Sequence, residues 1–148
     1  MINIDSNNHV TGRSQYVDDV PVRAGTLYAA VLGSPHAHGV IKHIGFERAA
    51  SMPGVVKVIS GGDIPGENQI GGIIKDEPLL AEKEVHYQGQ PILLIIAETE
   101  EIAHAAVHEI EVEIDPLEVI VDPRVAFEKG HLLSDSRTFK LGDPGKSF

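Results

Sequence analysis

Six consecutive apolar residues, Ile92–Ala97, limit the possible folds of this chain more than any other feature. A strand that is apolar at every position is typical of a strand buried on both faces. Thr99 follows as a predicted helix N-cap, and apolar residues then recur at helical spacing from Ile102 to Ile110. The sequence therefore predicts a buried strand followed by a helix with one apolar face.

Shorter elements are predicted on both sides of this pair. β-Branched and alternating runs predict strands, and a short helix is stopped by Pro53 and Gly54. Recurring glycine and proline between residues 60 and 90 predict a long loop region. The interleaved order indicates a mixed α/β fold of the α+β class. The predicted strands are 26–32, 40–44, 55–59, 92–97 and 111–115, the last extended through 121, and the predicted helices are 46–52, 99–110 and 122–127.

The length of 148 residues suits one domain, and 42% hydrophobic residues can form an ordinary core. Residues 1–24 are polar and are interpreted as a loosely attached lead-in. The folded domain is expected over residues 25–134. Residues 135–148 turn polar and glycine-rich, as in a linker to a further domain.

Charge and residue content exclude several functions. The net charge of −10 and the 5% aromatic content argue against a nucleic-acid partner, which needs basic patches and stacking platforms. The chain has no cysteine, so it can hold no disulfide, iron–sulfur cluster or thiolate zinc site. A cytoplasmic location is expected. The longest apolar run, Pro91–Ala97, is too short to cross a membrane.

Two histidine pairs are candidate metal ligands. His36 and His38 would share a side of an extended chain, but no third ligand lies nearby in the sequence. His104 and His108 would share a helix face, but Ala105 stands where a zinc protease needs glutamate. A structural role for the first pair and a solvated helix face for the second are favoured, so no metal site is predicted.

Other familiar motifs do not fit. Gly145-Lys146-Ser147 resembles the end of a phosphate-binding loop, but Lys140 occupies the position of the required first glycine. The paired acids are expected to be solvated. From residue patterns alone, the chain is a folded α/β domain without a convincing active site. The acid pairs are Asp18-Asp19, Asp76-Glu77 and Glu111/Glu113.

Five segments follow one another in an order that is similar to one enzyme family. They are Thr11–Pro21, Ser34–His38, Met52–Gly66 with its aspartate, apolar, proline, glycine turn, Asp76–Ala81, and Val85–Pro91. Together they resemble the start of the molybdenum-binding part of xanthine dehydrogenases and aldehyde oxidases. The resemblance covers residues 10–148 and implies the α/β hammerhead domain of that family.

The resemblance also implies a function for the complete enzyme. Members hydroxylate purines, aldehydes or N-heterocycles with oxygen from water, at a molybdenum–pterin cofactor. Electrons leave through [2Fe-2S] clusters and often FAD. The cofactor-contacting and catalytic residues of the family lie beyond this domain. We therefore expect this segment to have no catalytic residue, to bind no cofactor, and to have cofactor, iron–sulfur and FAD domains or subunits as partners.

One local role is carried over from the resemblance. The loop before Asp76 reaches towards the substrate entrance in similar enzymes, which makes Ile73 and Ile74 candidate substrate-channel residues. Ordinary packing beneath the loop is the alternative for both isoleucines. Lys75 is expected to be solvated.

Three functional hypotheses remain open. The leading one is a structural and docking domain of a multidomain oxidoreductase. The second is a free-standing, non-catalytic binding module with the same fold. The third is a small metal-dependent hydrolase that uses His104 and His108.

Overall fold

The computed structural model describes residues 5–135, 137–139 and 141–146. They form two compact units, of which the first ends at Pro116 and the second begins at Leu117. The strands are β1 (Tyr28–Gly33), β2 (Gly39–Gly45), β3 (Val55–Ile59), β4 (Glu84–Val85), β5 (Pro91–Ala97) and β6 (Glu111–Pro116). The helices are α1 (Ser6–Val10), α2 (Glu47–Ala50), α3 (Glu100–His108) and α4 (Pro123–Glu128), with 3₁₀ turns at Val17–Asp19, Gly61–Asp63 and Pro144–Lys146.

The buried strand predicted from the sequence is the central strand of an antiparallel sheet with the order β1-β5-β3. Ile92, Leu93 and Ile95 are among its fully buried residues. A central position gives β5 a hydrogen-bonded neighbour on both edges. The strand is confirmed, but its predicted burial on both faces is not, because Leu94 and Ile96 are only partly buried.

A second antiparallel sheet has the order β4-β2-β6. Its buried residues Val85 and Ile114 belong to the same apolar cluster as Leu93 and Ile95 of the first sheet. The alternation predicted for β6 is confirmed, because Ile114 is buried while its glutamates are exposed. The two sheets thus contribute to one core, and the mixed fold of the α+β class is confirmed.

Helix α3 covers one face of the first sheet. Thr99 is its N-cap and accepts a hydrogen bond from the Ile102 N–H at 3.3 Å, as predicted. Ala103 packs with Ala30 and Ala97 in a second buried cluster. Small residues on both sides allow the helix to lie close to the strands, so the helix needs no large side chain at this contact.

The opposite face of the first sheet has an apolar row. Val31 of β1 pairs with Leu94 of β5, which also pairs with Ile59 of β3. These three side chains, with Ile64 and Leu79 from the following loops, line a shallow groove. We call these five residues the outer face. Val31 is 51% and Leu79 41% exposed.

The predicted extension of the last strand through residue 121 is wrong. β6 ends at Pro116, which pairs with Gly39, the first residue of β2. Beyond that pair the neighbouring strand has no further residue to offer, and proline itself lacks an N–H donor. A strand therefore cannot continue there despite the β-branched residues that follow.

The second unit contains the predicted short helix α4. Asp122 is its N-cap and accepts a hydrogen bond from the Arg124 N–H at 2.8 Å. None of the described side chains from Leu117 onward is buried. In the lead-in, residues 5–24, the short α1 also has no buried residue. The predicted boundaries after residues 24 and 134 stay predictions.

Candidate functional site

In the first unit, two of the family-like segments lie side by side: Ser34–His38 and Val85–Pro91. The Ser34 N–H donates a hydrogen bond to the Gln90 carbonyl at 2.9 Å, and the Gly89 N–H donates to the Ser34 carbonyl at 2.8 Å. A Cβ atom on Gly33 would lie 3.0 Å from the Gly89 carbonyl oxygen. The two backbones therefore approach more closely than most side chains at position 33 would allow.

Buried polar side chains hold both loops in shape. Ser34 is 3% and Gln90 2% exposed. The Ser34 hydroxyl accepts from the His36 N–H at 3.1 Å and donates to the His36 carbonyl at 2.7 Å. The Gln90 side-chain oxygen accepts from the His86 N–H at 2.6 Å. These hydrogen bonds fix the backbone on which the histidines are carried.

His38, Glu84 and His86 form a cluster where these loops meet. The His38 Nε2 lies 2.8 Å from the Glu84 Oε1, and the His86 Nδ1 lies 3.8 Å from the same oxygen. The centroids of the two imidazole rings are 5.8 Å apart. One potential ligand atom from each side chain lies within 4.8 Å of the others. The three side chains are partly exposed and can meet a ligand from solvent.

The histidine pairs considered in the sequence do not form such a group. His36 is exposed, and only its neighbour His38 joins the cluster. His104 and His108 are exposed on α3, as expected for a solvated face, and His104 lies 3.9 Å from the Glu100 carboxylate. Among the described residues, neither of them belongs to a group of three possible metal ligands.

Sequence reasoning missed Glu84 and His86. The available signal was their spacing, because residues two apart in a strand share one face. The partner histidine is 46 residues from Glu84. Only the pairing of β2 with β4 brings them together, so the complete cluster was not visible in the sequence.

The loop that carries Ile73 and Ile74 is closed by polar contacts at its base. The Lys75 side chain is 65% exposed, as expected for a solvated lysine, and its ammonium also lies 2.6 Å from the Glu67 carboxylate. The Ile70 N–H donates to the Glu77 carbonyl at 2.9 Å. Ile73 is fully exposed and Ile74 is 65% exposed. The alternative of packing beneath the loop is therefore wrong for both.

The aspartate of the family-like turn, Asp63, closes the 3₁₀ turn after β3. Its carboxylate accepts hydrogen bonds from the Ser60 N–H and hydroxyl, both at 2.9 Å, and lies 3.1 Å from the Lys57 ammonium. These bonds, with that of the Ser60 N–H first, lower the pKa of Asp63 to about 2. Asp63 thus has a structural role in the turn.

The resemblance deduced from the sequence is confirmed by comparison with known proteins. A family model described as "Aldehyde oxidase and xanthine dehydrogenase, a/b hammerhead domain" matches residues 11–118. The chain belongs to this family of oxidoreductases, and its fold is that hammerhead domain.

Particular relatives support the same conclusion. The chain is 41% identical to a probable xanthine dehydrogenase subunit of Bacillus subtilis, over 97% of this chain and 20% of the relative. It is 34% identical to the nicotine 6-hydroxylase large subunit of Paenarthrobacter nicotinovorans, over 93% and 18% respectively. A solved Cu,Mo-CO dehydrogenase superposes with a TM-score of 0.75 at 30% identity, over 85% of this chain and 16% of that chain. The chain thus spans about a fifth of the length of these two relatives, and 11% of the xanthine dehydrogenase/oxidase of Gallus gallus.

The chain lacks the ligands of one cofactor of such enzymes. An iron–sulfur cluster needs cysteine ligands, and the chain has none. Each buried side-chain nitrogen or oxygen among the described residues has a hydrogen-bond partner. Separately, none of the described helices has the length and apolar character that spanning a membrane requires.

Proposed function

We propose that this chain is a structural docking domain of a molybdenum-dependent hydroxylase of the xanthine dehydrogenase/aldehyde oxidase type. The cofactor domains, on the same polypeptide or another subunit, would pack against it and carry out catalysis. The outer face is the observation that carries the proposal. The length of these two relatives supports the proposal, because about four fifths of each relative lies outside the part that this chain matches.

The outer face has the chemistry of a surface that is covered in a larger protein. Val31, Leu94 and Ile59 form a cross-strand row, and Leu79 adds an apolar side chain from the next loop. Proteins that work alone seldom leave a continuous patch of large apolar side chains in water. Burial by a neighbouring domain would remove this area from solvent, at about 25 cal/mol per Å².

We also propose an activity for the complete enzyme, which the relatives support. We propose that it hydroxylates purines, aldehydes or N-heterocycles with oxygen from water, at a molybdenum–pterin cofactor, with [2Fe-2S] clusters and FAD as electron carriers. The names of relatives, a xanthine dehydrogenase and a nicotine hydroxylase, support substrates of the N-heterocyclic class. The cytoplasmic location stays a prediction.

Ile73 and Ile74 have a proposed role within that enzyme. We propose that they line the substrate channel and favour flat, apolar substrates. Their exposure supports this, since a channel residue must be free of packing within its own domain. The Lys75–Glu67 ion pair and the Ile70–Glu77 hydrogen bond support it further, because they close the base of the loop that presents them.

The first experiment is the intact mass of the native polypeptide that carries this sequence. A mass several times 15.9 kDa is expected for the front of a hydroxylase chain. A mass near 15.9 kDa, with no molybdenum subunit in association, would instead favour the free-standing binding module.

A pair of matched variants in the complete enzyme then tests the outer face. Val31→Asp is expected to lower molybdenum content and the thermal midpoint of the enzyme, because a carboxylate cannot be buried there without a partner. Val56→Asp is the control, since Val56 is similarly exposed (54% against 51%) but does not line the groove. Wild-type molybdenum content and stability in Val31→Asp would refute the docking role.

A further inference from the structure

We propose that His38, Glu84 and His86 form a binding site for a divalent transition metal ion, with Zn²⁺ as the preferred ion. The site lies where the loop that precedes β2 meets β4 and the residue after it. The proposal goes beyond the proposed docking function.

The donor set is suited to zinc. Two imidazole nitrogens and one carboxylate oxygen are the protein ligands of a common type of zinc site, which leaves the fourth position to water or another ligand. The Glu84 carboxylate also supplies negative charge that attracts a cation.

The distances are close to those of a bound ion. Ligands about 2.1 Å from a tetrahedral zinc lie about 3.4 Å from one another. The Glu84 Oε1 is 2.8 Å from one histidine nitrogen and 3.8 Å from the other, on either side of that value. All three ligand atoms lie within 4.8 Å of each other. We expect side-chain rotation to bring the three atoms to bonding distance.

The backbone holds the three residues in register. Gly39 pairs with Val85 and Val40 with Glu84 in the antiparallel ladder of β2 and β4. Continued by one residue, this register sets His38 opposite His86, and Glu84 shares the face of His86 by the two-residue period. The buried Gln90 side-chain oxygen accepts a hydrogen bond from the His86 N–H at 2.6 Å. This bond restrains the backbone at His86, so less conformational freedom is lost when a metal ion binds.

The surroundings favour a cation. A cleft beside Glu84 and His86 is also lined by Asp76 and Glu82, with Lys83 as the opposing charge. With Glu84 included, the cleft has three carboxylates and one ammonium group, so these charged side chains give it a net negative charge. Its open side provides space for the water or external ligand that completes a tetrahedral zinc site.

The test is titration of the 148-residue chain, without a polyhistidine tag, with Zn²⁺ alone in isothermal titration calorimetry. One ion per chain is expected. Each of His38→Ala, Glu84→Gln and His86→Ala is expected to weaken binding about tenfold or more. Replacement of Zn²⁺ by Co²⁺ is expected to give visible absorption bands of a tetrahedral site, absent in His86→Ala.

Matched controls come from the other histidines. His36→Ala and the double variant His104→Ala/His108→Ala are expected to bind Zn²⁺ like the wild type, since none of these residues belongs to the cluster. Circular dichroism confirms that each variant is folded, and a rise in thermal midpoint with Zn²⁺ is expected in the wild type and controls alone. Absence of stoichiometric binding, or binding that survives His38→Ala/His86→Ala, would overturn the proposal.

Discussion

The two compact units use their apolar residues in opposite ways. Every buried apolar side chain among the described residues lies in the first unit, from Ala30 to Ile114. In the second unit Val121 is 90% and Phe127 72% exposed. The first unit thus builds its own core, whereas the described residues of the second unit include apolar side chains but form no core.

Two short elements show the difference directly. Strand β5 has a paired strand on each side and helix α3 across one face. Helix α4 is capped correctly by Asp122 but buries no residue. Local signals are therefore sufficient to start an element in both units, but only packing makes it stable.

The largest expected effect comes from a cavity in the core of the first unit, compared with a matched substitution in the second unit. Ile95→Ala removes a fully buried side chain from β5, and we expect a loss of about 2–5 kcal/mol in the free energy of unfolding. Phe127→Ala in the second unit is the matched case and should change it by less than about 0.5 kcal/mol. Urea unfolding of the whole chain measures both. Similar losses in the two variants would show that Phe127 is also part of a core.

A smaller effect is expected from overpacking in the second sheet. A Cβ atom on Gly39 would lie 2.5 Å from the Ile114 Cγ2 and 2.7 Å from the Asp115 carbonyl oxygen. Gly39→Ala should therefore cost about 1–3 kcal/mol in the same unfolding experiment. Gly72→Ala is the control, because no atom lies within 4 Å of its added Cβ. Wild-type stability of Gly39→Ala would mean that β2 and β6 can separate at little cost.

The two helix caps provide a finer comparison. Thr99→Ala should lower stability by about 1 kcal/mol, because α3 loses the acceptor for the Ile102 N–H while it remains packed on the sheet. Asp122→Ala should leave global unfolding unchanged, since α4 has no packed face to transmit the loss. Amide hydrogen exchange checks the reason. Strong protection of α4 amides in the wild-type chain would contradict it.

The smallest effects concern two carboxylates whose pKa values are lowered by different causes. Hydrogen bonds from Ser60 lower the pKa of Asp63 to about 2, and Lys129 lowers that of Glu118. Because the pKa of Asp63 in the folded chain is below its ordinary value of 3.8, the ionised carboxylate stabilises the fold at pH values above 3.8. This contribution is lost as the pH falls from 3.8 towards 2.

NMR titration of the side-chain carboxyl carbons measures both groups. Lys129→Ala should return the pKa of Glu118 towards its ordinary value of 4.5 and leave that of Asp63 unchanged. Ser60→Ala should raise the pKa of Asp63 but keep it below 3.8, because the backbone N–H still donates. An unchanged pKa of Glu118 in Lys129→Ala would show that the ion pair does not form in solution.

The sequence by itself determined the local elements of this protein. The apolar run of β5, the cap at Thr99 and the alternation of β6 each follow from the spacing of neighbouring residues, and each was found where predicted. The order of the family-like segments was also sufficient to identify the hammerhead domain, although the family model matches residues 11–118 and not the whole of residues 10–148. The signals for β5, α3 and β6 depend only on residues a few positions apart, which is why they can be read from one chain.

Tertiary structure alone decided what is brought together. The strand orders β1-β5-β3 and β4-β2-β6, the end of β6 at Pro116, and the meeting of His38 with Glu84 and His86 all depend on pairing between distant residues. The register of one strand on another is set by core packing and by close backbone contacts such as that of Gly39. No local periodicity encodes which strand will be the neighbour, and so the cluster of His38, Glu84 and His86 appears only in the folded chain.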